Sequence, residues 1–319
     1  MRNLRWPFAR LLATLMLLLS GAAVLAQPMA CPPPAPTRDS LDPAELRRGA
    51  RDRGLLWRLE KDGRVSWLYG TVHVSKPEWM VPGPRVQGAL RGSDVVALEL
   101  DPTDAEIPRL FGTPEDPART ARLTAGLAER IGRLAERACL PGDRLAALRP
   151  MLQLVTLSMS EARREGVHPE LAVDAVLFGM ARQLGKDVVA LETAAGQLAA
   201  MTPESEADER ELLARGLEDL ESGEGRESLG RLLQAWAAGD AEGLASYPQW
   251  CKCLDTPAER RFFRRVNDER NRVMAQRLEA LHAGGRSIFA AVGALHLTGP
   301  DALQVLMRQR GFDVQRVPF

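Results

Sequence analysis

Apolar and polar positions alternate in short blocks along this chain. Leu56–Glu60 and Val65–Tyr69 are apolar-rich runs joined by Lys61-Asp62-Gly63-Arg64, and Asp-Gly between such runs predicts a β-hairpin. A Pro- and Gly-rich loop over Lys76–Pro84 and a helix at about 84–92 follow. Asp94–Leu100 (DVVALEL) is a continuous apolar run with Glu99 near its end, which suits a strand buried on both faces. From about 120 to 185 the spacing is helical, with breaks at Pro141-Gly142 and His168-Pro169. Glu170–Leu184 reads as a helix closed by Gly185, and Asp187–Leu191 as a second buried strand leading to Glu192. Two more helices occupy 204–245, and a long one runs from about Pro257 to Ala283, where Gly284-Gly285 stops it. Ser287–Val292 is a third buried strand, followed by a helix over 299–310 and an edge strand at Asp313–Val317.

The two ends repeat one arrangement. A strand leads into Gly70-Thr71-Val72-His73, then a loop, a helix and a strand; another leads into Gly293-Ala294-Leu295-His296, then a helix and a strand. The expected fold is therefore α/β. Strand–helix units from both ends form a central mixed sheet, and a large helical insertion occupies about 105–255. The globular domain spans 51–319, and 27–50, with five Pro among Pro28–Pro36, reads as a linker.

Residues 1–26 change the cellular picture. Arg2, Arg5 and Arg10 precede the uncharged apolar stretch Leu11–Ala26, and Val24-Leu25-Ala26 offers small residues for cleavage before Gln27. This is the pattern of a signal peptide, so an exported protein, periplasmic or secreted, is expected. The stretch is short for a membrane span, which needs about 20 residues, and no later stretch approaches that length.

The 42 basic and 42 acidic residues balance over 319 positions, which speaks against a nucleic-acid partner. Cys31, Cys139, Cys251 and Cys253 suit an oxidising compartment, and one structural disulfide is expected. Cys251 and Cys253 would face opposite ways in a strand, so each is expected to bridge elsewhere.

Four His occur. His73 and His296 follow strands, with Gly70 and Gly293 three residues ahead, and carboxyl ends of parallel strands are where α/β proteins bind ligands. The motif glycines allow a turn or a close approach. His168 before Pro169 and His282 near a helix C-terminus read as structural. Glu99 and Glu192 end apolar runs, where a carboxylate needs a partner or a metal. Arg270 interrupts the helical stripe Phe263, Val266, Met274, Leu278, Leu281, with Asn271 beside it, and such an Arg calls for a carboxylate or an anion. Two His and a carboxylate suit a divalent metal that activates water; without metal, the same groups suit general acid–base hydrolysis. No Gly-x-Ser-x-Gly elbow, P-loop or dinucleotide fingerprint is present.

The stretches WLYGTVHV, ALRGSDVVALELD, LAVDAVLFGMARQLGKDVVALET, DERNRVMAQRL and FAAVGALHLTGPDALQVLMRQRGFDVQRV, spread over about 55–317, resemble the TraB/GumN/PrgY family. That group is related to the Tiki proteases. The resemblance implies an α/β fold shared with erythromycin esterase-like and ChaN-like proteins. It implies a metal site of His73, His296 and Glu99, holding manganese or cobalt, with zinc as an alternative. Glu192, Arg270 and Asn271 support it catalytically: Glu192 is expected as general base or further ligand, and Arg270 with Asn271 to orient substrate or stabilise an oxyanion. Asp174 matches a family Asp near the site. The expectation is an exported metal-dependent hydrolase acting on peptides or proteins, since the related Tiki members are metal-dependent proteases acting outside the cell; PrgY-type members are linked to blocking a secreted peptide pheromone. The alternatives are a non-catalytic protein that binds a peptide or polysaccharide fragment, because GumN members occur with exopolysaccharide genes, and a metal-independent esterase.

Overall fold

A computed structural model describes residues 30–114 and 116–319; the leader expected at 1–26 lies outside them. Its six strands are β1 (Leu55–Lys61), β2 (Arg64–Thr71), β3 (Val95–Leu98), β4 (Asp187–Ala190), β5 (Ile288–Gly293) and β6 (Asp313–Val317). They form one mixed sheet in the order β4-β3-β5-β2-β1-β6. β4, β3, β5 and β2 run parallel, while β1 pairs antiparallel with both β2 and β6. The hairpin turns at Asp62 and Gly63, both at positive φ (53° and 71°), as a type I′ turn requires. This is the expected α/β architecture.

Burial explains the continuous apolar runs: every residue of β3, and Ile288–Val292 of β5, is buried. The expectation of a strand buried on both faces fails for β4. It has one neighbour in the sheet, so Asp187 is exposed and the rest is half-buried. The helix expected to begin at Glu170 begins at Val173, after a short 3-10 turn over Pro169–Leu171. The break is used: the Val173 N–H donates to the carbonyl of Val72 at 3.1 Å, tying the helix start to the loop that carries His73.

The long helix after Pro257 exists, opened by a Thr256–Glu259 capping box. It is not uniform. Pro257–Phe263 and Arg270–Ala283 are α-helical, and the six residues Arg264–Glu269 between them form a π-helical turn, a feature common beside functional sites. Met274, Ala275 and Leu278 pack into the main core with the sheet. The insertion builds its main helices at Glu206–Ser222 and Glu224–Ala237, with small apolar clusters of its own. Within 27–50, Pro43–Arg48 forms a helix capped by Asp42. Among the described residues no helix is long and apolar enough to cross a membrane.

The cysteine expectation is corrected. Cys251 and Cys253 are bonded to each other, with Cα atoms 5.1 Å apart, and no cysteine is free. The segment is a turn rather than a strand: Lys252 sits at φ 55°, which brings its two neighbours to the same side.

Candidate functional site

Parallel pairing places the ends of β2, β5, β3 and β4 along one edge of the sheet. Thr71 pairs with Gly293, so the two Gly-x-x-His segments lie side by side. The Glu192 N–H donates to the Glu99 carbonyl at 3.1 Å, which keeps the two strand-end glutamates in register.

Neither motif glycine needs a positive φ; each is needed for a close approach. A Cβ on Gly70 would come within 3.1 Å of the Ala294 backbone, so the first motif makes room for the second. A Cβ on Gly293 would lie 3.4 Å from both His73 Nε2 and Glu99 Oε1, and 3.5 Å from His296 Cδ2. Three of the expected site residues therefore converge above Gly293.

Each imidazole is held through Nδ1. Asp174, in the first turn of helix Val173–Gln183, accepts from His73 Nδ1 at 2.8 Å through one oxygen, while its other oxygen accepts from the Thr71 hydroxyl. The helix N-terminus favours that carboxylate. His296 Nδ1 lies 2.7 Å from Asn271 Oδ1. The Asn271 amide donates to the carbonyls of Asp301 (2.9 Å) and His296 (3.3 Å), so its Oδ1 must accept and His296 Nδ1 must carry the proton. Neutral His296 then has its lone pair on Nε2, which lies 3.8 Å from Glu99 Oε1.

Arg270 joins the two glutamates. Its Nε donates to Glu192 at 3.0 Å, and its Nη2 to Glu192 at 2.6 Å and to Glu99 Oε2 at 2.5 Å. Nη1 caps the Val266 carbonyl at 3.0 Å, inside the π-helical turn. Glu99 also accepts from the Gly293 N–H at 2.7 Å and from Gln197 Nε2 at 3.2 Å. Glu99, Glu192, Arg270 and His296 are nearly buried, whereas the His73 side chain is 62% exposed and forms the open side.

Charge follows from these contacts. The Asp174 carboxylate raises His73 to about 9, against the opposing effect of desolvation. Burial lowers His296 to about 4, so it is neutral near pH 7. Burial alone would raise Glu99, but His296, His73, Arg270 and the Gly293 N–H together hold it at about 2. Burial also works against the charge on Arg270, and its bonds to Glu192 and Glu99 more than restore it. Burial pushes Glu192 up, opposed by Arg270.

The sequence candidates thus fall into one connected group of His73, His296, Glu99, Glu192, Arg270 and Asn271. His168 exchanges backbone hydrogen bonds with Ser75, and His282 packs edge-on against Phe312. Thr71 and Gln197 were not singled out by sequence. Each is a single polar residue without a period, although Thr71 lies within the first Gly-x-x-His.

A ligating imidazole is usually anchored through its other nitrogen, as His73 and His296 are here. Two such imidazoles and a carboxylate oxygen are the donors a divalent ion takes. The donor chemistry fits an ion at His73, His296 and Glu99. The spacing is wider than a closed coordination sphere: among the described residues no three or more His, Cys, Asp or Glu side chains are gathered tightly enough to hold one.

Anchored imidazoles and a buried carboxylate at the carboxyl ends of parallel strands define an α/β protein with a cluster of titratable side chains at its strand ends. The chain belongs to the TraB/PrgY/gumN family, whose sequence model matches residues 55–316, from the first strand into the last. No curated protein and no solved structure matches it.

Proposed function

We propose that this chain is an exported hydrolase that holds a divalent ion, manganese or cobalt before zinc, with His73, His296 and Glu99, and that its substrate is a peptide. The observation that carries the reading is the convergence of His73 Nε2, Glu99 Oε1 and the His296 ring over Gly293, with both Nδ1 atoms already engaged. The basic and apolar leader supports export. The relation of the TraB/PrgY/gumN family to the Tiki proteases supports a peptide.

When bound, the ion supplies a Lewis acid and lowers the pKa of water towards neutrality. The chain's own residues do the rest. Asp174 and Asn271 aim the two rings. Arg270 keeps Glu99 ionised, and Glu192, with both oxygens on Arg270, holds that guanidinium in place. In this reading Arg270 positions Glu99 rather than gripping substrate, and Glu192 is an anchor rather than a base.

A second reading, metal-independent hydrolysis, is favoured by the His73–Asp174 pair, which keeps His73 protonated at neutral pH. His296 Nε2 would take a proton from water as it attacks a carbonyl, and His73 would give one to the leaving group. A peptide-library and activated-ester screen, with and without chelator, separates the two. Turnover by wild type that chelator and His296→Ala both abolish supports the first reading. Turnover that survives chelation but not His296→Ala supports the second. Ligand retention without product in every assay contradicts both and leaves a binding protein.

A further inference from the structure

The Cys251–Cys253 disulfide lies outside the site just described. It closes a turn between helix Tyr247–Trp250 and helix Pro257–Phe263. A disulfide stabilises a fold mainly by restricting the unfolded chain, and that effect grows with the loop it closes. A sequence separation of 2 is therefore nearly the least useful span for stability. The bridge also carries a cost, because it encloses Lys252, a residue with a Cβ, at φ 55°.

The surroundings suit exchange chemistry. Cys251 is 5% exposed and Cys253 is half-buried, so Cys253 is the more accessible sulfur. The Cys253 N–H points at Cys251 Sγ, 3.1 Å away. A backbone N–H stabilises a departing thiolate. Tyr247 Oη lies 3.3 Å from Cys253 Sγ, and since a disulfide sulfur has no proton, the hydroxyl is the donor. The Lys252 ammonium, 61% exposed, is paired with Glu224 at 2.7 Å, so the turn's own N–H and the Tyr247 hydroxyl, not a free cation, are the groups that face the sulfurs.

We propose that Cys251–Cys253 is a thiol–disulfide exchange site that accepts electrons from a dithiol. One thiolate of the dithiol attacks Cys253 Sγ. The Cys251–Cys253 bond breaks, and Cys251 leaves as a thiolate under the Cys253 N–H and takes a proton. The second thiol of the reductant attacks the mixed disulfide and releases Cys253. Two electrons pass: the dithiol becomes a disulfide, and Cys251 and Cys253 become thiols.

The test is a redox titration of the purified full chain in reduced/oxidised dithiothreitol mixtures, with thiols trapped and assigned by peptide mass spectrometry. Cys251 and Cys253 are expected to be half-reduced at a ratio at least about tenfold less reducing than that needed for Cys31 or Cys139. Lys252→Gly, which removes the cost of the positive φ, is expected to make the pair harder to reduce by about threefold or more. The Cys251→Ser/Cys253→Ser variant is expected to keep the wild-type melting temperature. Reduction of all four cysteines at one ratio, an unchanged ratio in Lys252→Gly, or a large drop in the double variant's melting temperature would each overturn the proposal and make the bridge a structural staple.

Discussion

Asn271 Oδ1 accepts the Nδ1 proton of His296 at 2.7 Å, and the Asn271 amide cannot turn round, because its NH₂ group is committed to two backbone carbonyls. One buried amide therefore sets which nitrogen of His296 faces Glu99. In ¹⁵N-histidine spectra at neutral pH, His296 is expected as the neutral Nδ1–H tautomer. Asn271→Leu should release that preference and cost about 1–3 kcal/mol for the groups it leaves unpaired. A wild-type Nε2–H signal contradicts the assignment.

The motif glycines should respond differently to the same change. Gly293 has φ −52° and ψ 136°, which alanine adopts freely, and its added methyl meets neighbours at ordinary contact distances of 3.4–3.5 Å. Gly293→Ala should fold with little loss of stability yet lose ion binding and activity, because the methyl occupies the space where the three groups converge. Gly70→Ala presses on the Ala294 backbone at 3.1 Å and should cost about 1–3 kcal/mol. Thermal melts alongside binding assays check both; an active Gly293→Ala would contradict this placement of the site.

Removing Arg270 leaves two buried carboxylates without their cation. Arg270→Met should lose about 3–5 kcal/mol at pH 8. The stranded carboxyls would have raised folded-state pKa values, so their contribution is restored as pH falls and lost as it rises. The deficit should therefore shrink at pH 5 in denaturant titrations. A deficit independent of pH would mean that lost packing, not charge, is responsible.

Wild-type stability should fall on the acid side in two stages when metal is chelated. His296 is depressed to about 4, so its contribution is present above its unfolded value near 6.5 and is lost as pH drops towards 4, on the order of 3 kcal/mol. Glu99, depressed to about 2, adds a further loss from about 4.5 down to 2. His73 works in the opposite sense: its pairing with Asp174 stabilises below about 6.5 and fades as pH rises to about 9, weakened by solvent. In His296→Gln the loss between pH 6.5 and 4 should disappear; if it persists, another group titrates there.

Much of this was legible in the sequence because it lies where apolar runs end. Glu99 and Glu192 close continuous apolar stretches, and Arg270 interrupts a helical stripe. The pairing of β2 with β5 was not spelled out by the residues, yet it is what brings the two Gly-x-x-His segments together. The π-helical turn was illegible: Arg264–Glu269 keeps ordinary helical spacing, and Arg270 bonding to the Val266 carbonyl is a tertiary event. The Cys251–Cys253 bridge escaped because the positive φ of Lys252 leaves no mark on side-chain chemistry. Asp174 was visible only through the family resemblance, since its partner His73 lies 101 residues away.

Calorimetric titration of Mn²⁺, Co²⁺ and Zn²⁺ into the chain, beside a His73→Ala/His296→Ala variant, tests the central claim most directly. One ion bound per wild-type chain and none by the variant is the predicted result. Equal binding to both, or binding to neither, would contradict an ion held by His73, His296 and Glu99.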